Sequence, residues 1–364
     1  MRIAVDVREL SGRPTGVGRY LDGLLQCWAD TPAAQRHQWT FYAHAPVSMP
    51  PQWAEQVQRL DGIGGSAWEQ LTLARAVNRQ RPDVFFAPGY TAPLTVAAPL
   101  VVTIHDVSFF AHREWFAFRE GTRRRLLTAW SARRARTVIT DSQFSKVEIG
   151  AHIGIDAARI QVIPLGISRP ASPIADAGSR RDPIVLFVGS IFARRRVDRL
   201  IEAFDTVAER VPDATLEIVG ENRTAAPRLD LDRLRRRCRH ADRIFIRSYV
   251  DDQTLAALYA RASVFAFLSE YEGFGFTPLE ALAAGVAPVV LDTPIARETC
   301  GAAARYVAPD APAAQAADAI ASLLTDAALR RELLQHADAV LRRFDWTRTA
   351  ADTLQVLEEA AIGR

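Results

Sequence analysis

Residues 265–290 read FAFLSEYEGFGFTPLEALAAGVAPVV, and the fold follows from how this stretch is parsed. The apolar run from Val264 to Leu268 reads as a buried parallel strand. A polar, glycine-bearing loop follows, and Thr277-Pro278-Leu279-Glu280 opens a helix running to Ala284. Gly285 stops that helix, and Val286 to Leu291 forms the next buried strand. Such a βαβ unit turns its connecting loop to the carboxyl end of a sheet, where open α/β folds hold their ligands. Glu272 lies in the loop and Glu280 in the first helical turn. The Thr277-Pro278-Leu279-Glu280 pattern satisfies a capping box with proline at the first helical position. Glu280 therefore either closes the helix or accepts the hydroxyls of a ribose. Glu272 sits among glycines, where no helix needs it.

The stretches before this loop repeat the pattern. Ile184 to Val188 is a strand turned by Gly189-Ser190, with Arg194, Arg195 and Arg196 following and a helix from Val197 to Arg210. Guanidinium groups at a strand's carboxyl end can neutralise a diphosphate through paired hydrogen bonds; on a solvated loop they would do nothing. Thr215 to Val219 and Arg243 to Ile246 are further strands, the second ending in Arg247-Ser248-Tyr249-Val250. Asp251 or Asp252 caps the helix Thr254 to Arg261. The carboxy-terminal helices 312–324 and 327–343 pack outside this sheet, and the helix from Trp346 returns towards the first domain.

The first half shows the same alternation. Arg2 to Val7 is a strand, and Gly12 to Tyr20 is a glycine-rich turn. A helix carrying Tyr20, Leu21, Leu24, Leu25 and Trp28 at helical spacing comes next. Strand, glycine turn and helix in that order favour a phosphate seat, although G-x-G without a third glycine equally fits an ordinary turn. Trp39 to His44, Val84 to Ala87, Leu100 to Ile104, Val138 to Thr140 and Ile160 to Ile163 complete the strands, with a helix from Trp68 to Gln80. His105 ends its strand, placed to bond a substrate hydroxyl or simply a neighbouring carbonyl. Residues 116–136, FAFREGTRRRLLTAWSARRAR, carry Arg123, Arg124, Arg125, Arg133, Arg134 and Arg136 beside Leu126, Leu127 and Trp130. Such a helix lies on an anionic membrane or presents a solvated face over a packed one. From Ser168 to Pro183 the composition turns to Pro, Ala, Ser, Asp and Gly, which marks a linker. The expected domains are 1–170, a linker 171–183, 184–345, and a returning helix 346–364.

Composition bounds the function. The chain has 364 residues, 49% apolar and 24% charged, with a net charge of +3, which fits a two-domain globular protein and does not argue for nucleic acid. The isolated Cys27, Cys238 and Cys300 support neither zinc nor a disulfide framework, so a reducing cytoplasm is expected. No apolar run approaches the roughly 20 residues of a spanning helix.

Several segments resemble one family in the right order along almost the whole chain. Glu272, Gly273, Phe274, Gly275, Pro278 and Glu280 are similar to the E-x7-E signature of family 4 retaining glycosyltransferases. Gly16 to Tyr20 resembles the family's glycine turn, Val101 to Asp106 its V-x-T-x-H-D, Asp141 to Lys146 its S-x-x-S-K, and Val162 to Ile167 its V-I-P-N-G-V. The resemblance implies the GT-B fold, two Rossmann-like doubly wound domains facing across a cleft. It implies a nucleotide-sugar donor on the second domain, a saccharide or lipid-linked acceptor mostly on the first, and neither metal nor other cofactor. The catalytic residues would be Glu272 at the donor sugar, Arg195 at the diphosphate and His105 on the acceptor side. Donor-binding residues would be Gly16, Gly189, Ser190, Arg194, Arg195, Tyr249, Val250, Gly273, Phe274, Gly275, Phe276, Thr277 and, holding the ribose, Glu280.

Two positions depart from the family. Many members carry Arg and Lys where this chain has Ser190 and Arg195, so one cation is missing and Arg194 or Arg196 must compensate. Gly189-Ser190-Ile191 with Arg194-Arg195 is similar to the G-T-I-x-P-R-K branch of mannosyltransferases in bacterial polysaccharide assembly, hence the expectation of GDP-mannose. UDP- or dTDP-sugar transfer to a small acceptor, a non-catalytic sugar-nucleotide-binding subunit and a GT-B-like epimerase are the competing readings. A dehydrogenase fits less well, because the glycine turn lacks its third glycine.

Overall fold

The structure, a computed structural model, describes residues 1–12, 16–168, 181–224 and 228–363. Each half of the chain builds its own all-parallel sheet from short strands, the central ones buried on both faces. The first contains β1 (Arg2–Asp6), β2 (Gln38–Ala43), β3 (Val57–Arg59), β4 (Val84–Ala87), β5 (Leu100–Thr103), β6 (Thr137–Thr140) and β7 (Ile160–Val162), in the order β3-β2-β1-β4-β5-β6-β7. The second contains β8 (Asp182–Val188), β9 (Thr215–Val219), β10 (Ile244–Arg247), β11 (Ala262–Phe267), β12 (Ala287–Leu291) and β13 (Arg305–Val307), in the order β10-β9-β8-β11-β12-β13. Both orders reverse once, between β1 and β4 and between β8 and β11. Loops leaving those strands diverge there and open a crevice for a ligand.

Helices α1 (Gly16–Ala29), α2 (Phe118–Arg134) and α3 (Gln143–Ile153) belong to the first unit. The five apolar residues expected on one face of α1 are all buried. Ser142 caps α3 by accepting from the Ser145 N–H at 3.0 Å. The second unit contains α4 (Val197–Arg210), α5 (Asp252–Arg261) and α6 (Phe276–Ala283). Asp251, not Asp252, caps α5 through the Thr254 N–H. The second core is threaded by stacked rings of Phe187, Phe265 and Phe267, with centroids 5.7 and 6.1 Å apart.

Residues Met1–Arg113, Phe118–Gly166 and Phe344–Arg364 form the first unit; Glu114–Ala117 and Ile167–Arg343 form the second. Most of the expected linker, residues 169–180, lies outside the described residues. Its end needs correction: Asp182 and Pro183 already belong to β8, with Arg181 bonding the carbonyls of Tyr259, Ala262 and Ala284 at the foot of the sheet. The expected helix 327–343 is two short ones, Ala327–Leu334 and Ala337–Leu341.

The carboxy-terminal helix Trp346–Ile362 is stitched to the first unit. Trp28 Nε1 donates to the Ala350 carbonyl at 2.9 Å, and Thr349 Oγ1 donates to that of Pro164 at 2.7 Å. Trp346 fits because two of its neighbours lack side chains. A Cβ on Gly23 would stand 2.6 Å from its ring, and one on Gly166 would overlap both ring and backbone. Overpacking of this kind costs about 1–3 kcal/mol. Gly166→Ala should therefore lower the unfolding free energy by that amount in denaturant titration; an unchanged value would show that Trp346 is not held there.

Candidate active site

The switch point of the second sheet brings two loops together. After β8 the chain turns at Gly189, whose φ of +135° suits glycine alone and whose missing Cβ leaves room for Arg195 Nη1 at 2.7 Å. A tight turn over Ala193–Arg195 follows, and Arg196, itself at φ +46°, starts α4. After β11 the chain runs through Ser269 and Glu270 to Glu272. The Glu270 N–H donates to the Arg194 carbonyl at 2.9 Å, so the loops are bonded backbone to backbone before any side chain meets.

Each of the three arginines then does something different. Arg195 grips Glu272 with two parallel bonds, Nε to Oε1 at 2.7 Å and Nη2 to Oε2 at 3.1 Å, and ties back to the Ser190 carbonyl at 2.9 Å. Arg196 pairs with Glu270. Arg194 donates from Nε to the Tyr271 carbonyl at 3.2 Å and lies over the Phe192 ring at 4.5 Å. Its terminal nitrogens bond nothing among the described residues. The Arg195 fork is engaged by Glu272, and Arg194 is the cation with donors to spare among the described residues.

Glu272 is buried with its partner, the two side chains being 13% and 14% exposed. Burial raises its pKa most strongly, but Arg195, Arg194 and the Ser269 hydroxyl at 2.8 Å outweigh it, and the net shift is downward. The carboxylate stays ionised and well held.

Helix α6 begins earlier than its sequence announces. The chain enters through Gly275 at φ +90°, so Gly275 is the cap and Phe276 the first helical residue. The expected capping box is absent: Thr277 is second and Pro278 third, where a missing N–H still costs nothing. The Thr277 hydroxyl is buried without a partner. Glu280 stands one turn into the helix, half-buried. Gly273, Phe274, Gly275, Phe276 and Thr277 line the approach to this helix start. Tyr249 and Val250 follow the edge strand β10, two strands or about 10 Å from β8, with Tyr249 57% exposed.

In the first unit His105 does not offer a free nitrogen. Nδ1 meets Asp141 Oδ2 at 2.7 Å and Nε2 the Pro88 carbonyl at 3.0 Å. Burial pulls the imidazolium pKa down most, yet Asp141, its hydrogen bond and the Pro88 carbonyl carry it above the usual value. Its ring is thus oriented by protein on both nitrogens. Gly16 opens α1 and is exposed, while residues 13–15 of its turn lie outside the described residues. Sequence reasoning missed Ser269 and Asp141 as partners of Glu272 and His105. Both stand just beyond strand ends, which was the available signal. Among the described residues no three His, Cys, Asp or Glu side chains gather as a metal set.

Residues 14–169 match the family described as Glycosyltransferase Family 4, and residues 174–339 the family of glycosyl transferases group 1. Glycogen synthase of Mycobacterium tuberculosis is 30% identical over 301 residues, covering 78% of this chain and 70% of that one. The GDP-mannose:cellobiosyl-diphosphopolyprenol alpha-mannosyltransferase of Komagataeibacter xylinus is 28% identical over 277 residues, covering 72% and 67%. Among solved structures, Anabaena HepE in complex with UDP-glucose superposes with a TM-score of 0.75 at 19% identity, over 99% of this chain and 100% of that one.

The Glu272–Arg195 pair carries a pH signature. An unfolded Glu titrates near 4.5 and the folded Glu272 lower, so the pair's contribution is complete above 4.5 and disappears as the pH falls through the folded value. Glu272→Gln should lose about 2 kcal/mol at pH 7, a deficit that shrinks on acidification; denaturant titrations showing a pH-independent deficit would contradict this. By motif, fold and similarity, the chain belongs to the family 4 glycosyltransferases of GT-B fold.

Proposed function

We propose that the chain is a retaining, metal-independent hexosyltransferase that moves mannose from GDP-mannose to a saccharide or lipid-linked saccharide. The observation that carries this reading is the pairing at the β8–β11 switch point of an ionised, clamped Glu272 with the unspent donors of Arg194. A departing nucleoside diphosphate needs fixed positive charge where its own charge develops. Arg194 supplies it, together with the start of α6, whose first N–H groups and dipole favour an anion. Arg194 thereby replaces the cation missing at Ser190.

The state of Glu272 bears on retention. A carboxylate with both oxygens bonded and its basicity lowered is a poor nucleophile and a poor base. Same-face attack, in which the departing phosphate takes the acceptor proton, uses Glu272 to steady positive charge on the anomeric carbon instead. Arg195 then acts as the residue that positions Glu272. His105, its imidazolium favoured by Asp141, is held in a fixed orientation on the first unit.

The Komagataeibacter relative's name supports both the GDP-mannose donor and a lipid-linked acceptor. The HepE complex and the glycogen synthase likeness favour a second reading, a UDP-sugar donor. Helix α2 supports peripheral contact with the inner face of the plasma membrane less through its arginines than through its apolar residues. Arg123 and Arg124 pair with Glu120, while Arg125 and Arg133 bond the carbonyls of Phe109 and Ile153. Phe118, Leu126 and Trp130 remain 83%, 52% and 51% exposed.

Glu272→Ala should remove most transfer and leave nucleotide binding largely intact. Arg194→Ala should weaken donor binding about tenfold to a hundredfold, the worth of a charge-assisted hydrogen bond. Steady-state kinetics and calorimetry with GDP-mannose and UDP-glucose check both. Normal turnover by Glu272→Ala would sink the reading, and absence of any turnover by the wild type would favour the non-catalytic subunit.

A further inference from the structure

The second unit's sheet ends on one side in β10, an edge that the donor chemistry does not use. Among the described residues β10 pairs only with β9, and its other backbone edge has no partner strand. Such a row of open N–H and C=O groups is a template for one more strand. The side chains of β10 are not those of a closed rim. Phe245 is 40% exposed. Arg247 lies over its ring at 5.8 Å and pairs with Glu217 of β9.

The charge around this edge is concentrated. Residues 228–247 hold eight arginines and three aspartates, an excess of five positive charges where the whole chain has an excess of three. Some of these arginines are spent inside the unit. Arg239 pairs with Asp205 and Glu209, and Arg243 bonds the carbonyls of Ala208 and Pro212. Arg233, Arg236 and Arg237 are exposed and make no ion pair or side-chain hydrogen bond among the described residues. An edge kept merely soluble needs one or two charges, not a run of unpaired ones.

A groove of about 220 Å³ lies beside the edge, lined by Asp232 and Arg235 of the short helix Leu231–Arg236 and by residues 244–247 of β10. Arg235 Nη2 reaches Asp232 at 3.7 Å, but its Nε is buried without a partner. A buried donor left unbonded is costly, and an incoming acceptor would relieve it. The groove has room for a side chain or two, less than a nucleotide-sized ligand needs, whereas the open backbone next to it accommodates an extended chain.

Three occupants compete for such an edge. A second copy of this chain pairing edge to edge would set one run of arginines against another, and like charges repel. A nucleic acid strand answers the charge but carries no alternating N–H and C=O groups to continue a ladder. An extended acidic peptide answers both. We propose that β10 is a docking edge for an extended acidic segment of a partner protein, which adds as an outer strand. Its carboxylates meet Arg235 and the unpaired arginines, and apolar residues between them meet Phe245. This surface stands apart from the transferase reading and does not depend on it.

The test uses the full chain and a short fluorescent peptide of alternating Glu and Val. Anisotropy at low salt should show saturable binding, and hydrogen exchange at residues 244–247 should slow in the complex. The double variant Arg236→Glu, Arg237→Glu should bind the peptide about tenfold more weakly, with its thermal melt and its nucleotide-sugar turnover unchanged. A peptide of the same charge with Pro in place of each Val cannot donate to a ladder and should also bind about tenfold more weakly. Absence of binding by the wild type overturns the proposal, as does equal binding of the proline peptide or equal binding by the folded double variant. Tighter binding of a single-stranded oligonucleotide at the same arginines overturns it in favour of a nucleic acid surface. A dimer in sedimentation that the peptide does not dissociate, with residues 244–247 protected in the absence of peptide, overturns it in favour of self-association.

Discussion

The two-pronged bond between Arg195 and Glu272 is the constraint from which the second unit's site is built. A carboxylate this deeply placed must be paired, because an uncompensated charge away from water is far costlier than any single contact in the site. Pairing it from a turn only a few residues past β8 demands an unusual path. Gly189 takes a conformation closed to other residues, the Ser190 carbonyl turns back to receive the same guanidinium, and Arg196 adopts positive φ to start α4. These strained positions sit where a switch-point ligand binds, and backbone strain of this kind persists only when the surroundings fix it. The commitment of Arg195 and Arg196 to carboxylates leaves Arg194 as the donor with capacity left.

The same topology is used twice with different chemistry. At β8 and β11 the polar groups are arginines and one clamped glutamate next to a helix start, an environment for an anion. At β1 and β4 they are buried carboxylates closed around one arginine, with an aromatic ring beside it. The first sheet's His105–Asp141 pair is an oriented dipole whose ring nitrogens are both engaged by protein.

Much of the fold is legible in the sequence because parallel strands are buried on both faces and read as continuous apolar runs. Val84–Ala87, Leu100–Thr103 and Ala262–Phe267 stand out for that reason. Val57–Arg59 and Arg305–Val307 do not: each is three residues long, lies at a sheet edge and keeps half its side chains near solvent. The start of α6 was misread because Thr277 and Glu280 imitate a capping box, while the actual cap is a backbone conformation at Gly275 that spelling alone does not reveal. In the site, Glu272 and the arginine run were visible from their place after strands. Which arginine holds Glu272 was not, since that depends on where the Gly189 turn points the side chain. The Arg8–Glu69 pair joins residues 61 apart in sequence, and only the folding of the sheet brings them together.

The most direct measurement follows the anomeric carbon. The wild-type chain is incubated with an α-configured nucleotide-sugar, GDP-mannose first and UDP-glucose second, and early products are read by proton NMR before mutarotation. Retention by same-face attack predicts an α-configured first product, lost in Glu272→Ala. A β-configured first product would contradict it, because water or acceptor would then have entered from the face opposite the departing diphosphate.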